Sequence, residues 1–138
     1  GPFFRGLNAV PVDREGGGAR GLKIILERLL KDNGIIIFPE GTRTFDGEML
    51  PAQGGIGLTI IKSRAPVLPV RVWTYNAYNR NQALPKPRMM SVKFGKPLDV
   101  EPLREKARTC SRQELRGIYQ EAAESTMTAI RKLQPIED

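Results

Sequence analysis

The chain has no histidine. Within these 138 residues that excludes a Ser-His-Asp triad, a Cys-His pair and any zinc site built with imidazole. A reaction that needs an imidazole base must take it from residues outside this sequence. Cysteine is scarce as well: Cys110 is the single one, so no internal disulfide forms. A reducing, cytosol-facing compartment is the expectation. Cys110 sits in the polar run Arg108-Thr109-Cys110-Ser111-Arg112 and is a poor candidate for a nucleophile without a histidine beside it. No segment approaches the ~20 apolar residues of a membrane span. No signal-peptide core is visible either.

What is present describes one globular domain. Hydrophobic residues make up 40% and charged residues 27% of the chain, a balance that supports a packed core rather than disorder. The net charge is +7, from 22 Lys and Arg against 15 Asp and Glu. Such an excess favours an anionic partner: nucleic acid, an acidic membrane surface or a phosphorylated substrate. Charge alone does not choose among them, and part of it simply solvates the surface. No zinc-binding, RRM or KH signature supports nucleic acid, and none is expected as a partner.

Read for periodicity, Asn8 to Val12 forms an extended piece and Ala19 to Lys31 a helix. Leu22, Ile25, Leu26, Leu29 and Leu30 lie on one face of that helix. Asp32-Asn33-Gly34 is a helix stop. The β-branched run Ile35 to Phe38 reads as a buried strand. A shorter helix follows over Gly55 to Arg64. Val67 to Trp73 reads as a strand interrupted by Pro69, hence an edge, a bulge or a strand start. Thr74 to Arg88 reads as an irregular excursion, and Tyr75 to Arg88 within it is basic and aromatic. Met90 to Phe94 alternates like a half-buried strand. Ser111 to Leu133 reads as a long helix opened by a Ser111/Glu114 capping box. Strands alternating with helices predict an α/β fold, a central mixed sheet flanked by helices.

The densest information lies in Phe38-Pro39-Glu40-Gly41-Thr42-Arg43. Proline has no N–H and ends the ladder. Gly41 permits positive φ or a close backbone approach. Arg43 offers a planar fork of donors suited to phosphate or carboxylate. Ligands of open α/β sheets sit just beyond the carboxyl ends of strands, so an anion site is the leading expectation. By contrast, Gly16-Gly17-Gly18 is no P-loop, since no Gly-Lys-Ser/Thr follows it.

With Val12-Asp13-Arg14 before it and Ala65-Pro66-Val67-Leu68-Pro69-Val70 after it, this run resembles the 1-acylglycerol-3-phosphate acyltransferase family of lysophospholipid and glycerol-phosphate acyltransferases. The likeness extends over roughly Phe3 to Val100. It implies a glycerol-phosphate acyltransferase-like fold and transfer of a fatty acyl chain from acyl-CoA or acyl carrier protein to the free hydroxyl of a lysophospholipid. The expected acceptor is 1-acylglycerol-3-phosphate, and no metal or organic cofactor is implied. Phospholipid biosynthesis at the cytoplasmic face of an anionic membrane is the expected setting. The family's first motif, a His, four residues and an Asp, supplies the general base and the residue that orients it. It is missing here. The chain is therefore expected to be an N-terminally incomplete fragment of one acyltransferase domain, residues 1–138. On that expectation it carries no catalytic residue of its own and is inactive alone.

The resemblance assigns the acceptor site to Arg14, Glu40, Gly41, Thr42 and Arg43. Arg43 would clamp the acceptor phosphate; the plainer alternative is a salt bridge to Glu40 or Asp46. Arg14 would add a second phosphate contact, or with Asp13 simply turn the chain. Glu40 binds acceptor hydroxyls, holds Arg43 or is purely structural. Gly41 and Thr42 give backbone and hydroxyl contacts or only shape the loop. Pro69 is an acyl-site wall or a core residue at a strand edge. Where relatives often carry a basic residue, then Gly-Ala, this chain has Gln53-Gly54-Gly55, which argues against a phosphate contact at position 53. The alternative functional class is a non-catalytic lipid-binding or scaffolding relative, and a His-x4-Asp upstream of Phe3 would decide against it.

Overall fold

The computed structural model describes residues 19–42, 44, 48–74 and 90–135. Helix α1 spans Ala19–Leu29, α2 Gly54–Ser63, α3 Glu101–Thr109 and α4 Arg112–Lys132. Strands β1, Val70–Thr74, and β2, Met90–Phe94, pair antiparallel. The two strands put Val70 opposite Phe94 and Val72 opposite Val92. Val70, Val72, Val92 and Phe94 therefore share one face, and Arg71, Trp73, Ser91 and Lys93 share the other.

The α/β expectation is met in part. Among the described residues there is no central mixed sheet, only this two-stranded ribbon beside four helices. The composition of elements remains compatible with an α/β acyltransferase fold. Ile35 to Phe38 belongs to no strand, and Ile36 is 90% exposed. A strand exists only where a neighbour accepts its ladder, and none of the described segments lies beside this one as a partner. The expected extended piece at Asn8 to Val12 falls outside the described residues, as do Arg14 and the Tyr75 to Arg88 stretch.

The core is helical. Helix α2 packs against α4, α1 and α3, and its Ile60 and Ile61 meet Ile118 and Ala122 of α4 together with Val100. Buried positions on α4 recur as Ile118, Ala122, Thr126 and Ile130, the four-residue spacing that keeps one helix face inward. Its start is the expected capping box: the Ser111 hydroxyl accepts from the Glu114 N–H at 3.3 Å, and the Glu114 carboxylate accepts from the Ser111 N–H at 2.8 Å.

The hydrogen bonds from Ser111, side chain first and then backbone, hold the Glu114 carboxyl below its ordinary value of 4.5. A depressed folded-state pKa stabilises above the unfolded value and ceases to do so as pH falls through the folded one. The cap's contribution is thus expected intact at neutral pH and lost on acidification below about 4.5. Ser111→Ala should cost about 1 kcal/mol at pH 7, and thermal unfolding at pH 7 and pH 3 should show the difference shrinking in acid.

Helix α3 has no counterpart in the sequence reading. Glu101, Arg104, Glu105, Lys106 and Arg108 crowd it, leaving no clear apolar stripe. Pro102 in its first turn and an Asp99 carboxylate accepting from the Glu101 N–H are its local start signals. Arg104 explains why it docks. That side chain is 6% exposed. Its Nε and Nη2 donate to the Ile60 carbonyl at 3.1 and 2.9 Å, Nη2 also to Ala65 O at 2.7 Å, and Nη1 to Glu101 Oε1 at 2.7 Å. A cation therefore satisfies the carbonyl end of α2, where the helix dipole is negative. Arg104→Met should leave those carbonyls unpaired and cost about 3 kcal/mol in chemical denaturation. Lysine, without the fork, should restore little.

Candidate acceptor site

Helix α1 ends at Leu29, two residues before the expected Lys31, and the expected stop Asp32-Asn33-Gly34 follows it. Within that stop, Asp32 takes the left-handed conformation at φ 56°. The Asn33 side-chain amide then donates to the Arg28 and Lys31 carbonyls at 3.0 and 3.2 Å, and the chain runs out through Ile35 to Phe38 into the loop of interest.

At Phe38 the backbone turns. The Gly41 N–H donates to the Phe38 carbonyl at 3.1 Å, with Pro39 at the position where its fixed φ suits a turn. Gly41 has φ 70°, and a Cβ there would lie 3.0 Å from Gln53 Cγ. Both the conformation and the close approach call for glycine. The returning limb is tied to this turn at three points. Glu40 Oε2 accepts from the Leu50 N–H at 2.7 Å. The Gln53 N–H donates to Pro39 O at 2.8 Å. The Gln53 side-chain amide donates to Glu40 O at a longer 3.4 Å. Glu40 is half-buried, while Gly41 and Thr42 are exposed.

Glu40 thus has a structural partner, which favours the loop-shaping alternative for that carboxylate. Gln53 and Leu50 are the residues that sequence reasoning missed as parts of this loop. Two of the three ties use backbone N–H groups, which every residue but proline carries, so no residue-type signal marks them.

Gln53 is also the N-cap of α2, and its side chain makes no capping bond. The turn therefore sits at a helix start whose first-turn amides carry partial positive charge. Gly55 at that start lies against Leu22 of α1, so the site is braced by α1 as well. The structure brings together Glu40, Gly41, Thr42 and Gln53; Arg14 and Arg43 lie outside the described residues. Pro69 is buried, its carbonyl accepting from the Gly95 N–H at 2.8 Å just before β1, as a core residue at a strand start would be. No helix among the described residues is long and apolar enough to cross a membrane.

The Acyltransferase family model matches residues 1–73, and the chain belongs to that family. It is 34% identical over 99 residues to a 1-acyl-sn-glycerol-3-phosphate acyltransferase of Bacillus subtilis (strain 168), covering 71% of this chain and 47% of that protein. It is 31% identical over 94 residues to the protein of the same name from Cocos nucifera, covering 65% of this chain and 30% of that one. A third, from Limnanthes alba, is 30% identical over 81 residues, 58% of this chain and 28% of that protein. The chain thus spans under half the length of these relatives. No solved structure matches it.

Proposed function

We propose that the parent protein transfers a fatty acyl chain from an acyl-CoA or acyl carrier protein thioester to the free hydroxyl of a lysophospholipid, with 1-acylglycerol-3-phosphate as acceptor. One observation carries this reading: in a member of the Acyltransferase family that has the complete Phe38-to-Arg43 run in its sequence, Phe38 to Gly41 form a turn braced against the N-terminus of α2. The acceptor's phosphate is anionic, a charge that a helix start and a guanidinium both suit. Arg43 is the main clamp and Arg14 the second contact. Thr42 and the Gly41 backbone line the approach, and Glu40 keeps the loop closed through Leu50.

The hydroxyl to be acylated is a weak nucleophile and needs a base. This chain has no histidine to provide one. The base therefore comes from a His-x4-Asp in the parent. The oxygen attacks the thioester carbonyl, the C–S bond breaks, and the thiol leaves with the proton taken from the hydroxyl. The 138-residue chain by itself should give no turnover in a thioester-consumption assay. Activity from this chain alone would refute the requirement for an outside base.

The work is done at an anionic membrane surface on the cytoplasmic face, a reading supported by the +7 charge and the amphiphilic acceptor. The parent should sediment with anionic vesicles at low salt, and less so as salt screens its exposed charges. No binding at low salt would contradict it.

A further inference from the structure

At the far end of α2 from the acceptor loop lies a shallow groove of about 260 Å³ between α2, α3 and the start of α4. Lys62, Arg64 and Arg108 line it, over a floor that includes Ile61 and Leu115. All three cations are exposed, and none forms an ion pair among the described residues. A fourth, Arg104, lines the groove too, with its donors committed to Ile60, Ala65 and Glu101. Glu101, a carboxylate that feels these charges, is engaged by Arg104. Its pKa is lowered by that hydrogen bond first, with the Arg104, Arg108 and Arg64 charges adding to the effect.

Arg64 adds a second observation. It is the C-cap of α2 and holds φ 56°, the left-handed region, where glycine is the usual residue. A side chain there costs stability. With Lys62 and Arg108, Arg64 sets three exposed cations around one groove. Gathering like charges is unfavourable, and with Glu101 already bonded to Arg104 a ligand with several phosphates relieves it, while the apolar floor suits a flat base.

We propose that this groove docks the phosphate-bearing nucleotide end of a coenzyme A thioester. The proposal rests on the acyltransfer reading. Helix α2 has 10 residues, so the groove and the acceptor loop stand about 15 Å apart along it. An extended pantetheine arm bridges a span of that order, bringing the thioester toward the acceptor hydroxyl while the phosphates stay in the groove.

The test uses the intact parent and three probes in calorimetric titrations: coenzyme A, adenosine 3′,5′-bisphosphate, and pantetheine, which lacks the phosphates. The double variant Lys62→Glu/Arg108→Glu should weaken the first two by at least about tenfold, the loss of one charge-assisted contact, and leave pantetheine unchanged. Arg64→Gly removes one cation while relieving the left-handed backbone. It should hold or raise Tm and still weaken coenzyme A several-fold, so a folding defect in the double variant does not decide the matter.

Unchanged coenzyme A binding in both variants would overturn the proposal. So would a loss confined to an acyl carrier protein donor, which would mark the groove as a surface for an acidic protein. Transfer from a short acyl-pantetheine thioester separates the two readings. The acyltransfer reading predicts that transfer in wild type and variants alike. If no thioester is used, that reading fails while the nucleotide titrations still report on the groove.

Discussion

Gly57→Ala should abolish cooperative folding, whereas Gly117→Ala should raise stability. Both glycines lie inside helices and both carry the entropic cost of glycine there, so propensity alone favours alanine at each by roughly 1 kcal/mol. Their surroundings differ completely. A Cβ on Gly57 would lie 1.7 Å from the Tyr119 carbonyl oxygen and 2.8 Å from Tyr119 Cα. Those are backbone atoms of α4 and cannot rotate away. Helix α2 would have to lift off α4, opening the contact that joins Ile60 to Ile118 and Ala122. Overpacking a soft site costs ~1–3 kcal/mol; this clash is harder and should exceed about 4 kcal/mol, a large share of a typical domain's stability. A Cβ on Gly117 meets nothing within 4 Å. Thermal unfolding followed by circular dichroism should show the transition lost in one variant and raised by several degrees in the other. Equal small shifts would mean that α2 and α4 do not pack this closely.

The second large effect is on activity. In the full-length parent, Arg43→Ala should lower acceptor kcat/KM by roughly 10- to 200-fold, the equivalent of one charge-assisted bond of ~1.5–3 kcal/mol. Arg43→Lys should recover part of the loss, because an ammonium lacks the paired donors of a guanidinium. Dependence on the acyl donor should change far less, since its reacting end is a neutral thioester. Steady-state kinetics with each substrate varied in turn separates the two. An equal effect on both, or a variant that simply unfolds, would return Arg43 to a structural salt bridge.

Much of this molecule was legible because the signals were local. The capping box at Ser111 and Glu114 needs two residues at a fixed spacing, and it formed as read. Met90–Phe94 alternates residue by residue and became β2 with the expected bounds. The loop at Phe38 was conspicuous for the same reason: its parts are contiguous. What escaped the sequence depends on distant partners. Helix α3 owes its docking to one arginine reaching the end of α2, 39 and 44 residues away in the chain, and charge-rich residues hide that in any periodicity count. The clamp of Glu40 on Leu50 spans ten residues and uses a backbone N–H. The run Ile35 to Ile37 has strand composition but lacks a described neighbour to pair with, and composition cannot supply one.

The central claim, that of the proposed function, is that the braced turn at Phe38 to Gly41, with Arg43 next in the sequence after Thr42, serves the phosphate of a lysophospholipid. The most direct measurement compares two acceptors in the intact parent, 1-acylglycerol-3-phosphate and the same 1-acylglycerol without phosphate, at one donor concentration. A phosphate held by Arg43 and the start of α2 should make the first acceptor at least ~100-fold better in kcat/KM, from two charge-assisted contacts of about 1.5 kcal/mol each. Arg43→Ala should erase most of that preference by slowing the phosphorylated acceptor alone. Equal rates with the two acceptors in the wild-type protein, or a preference untouched by Arg43→Ala, would contradict the claim.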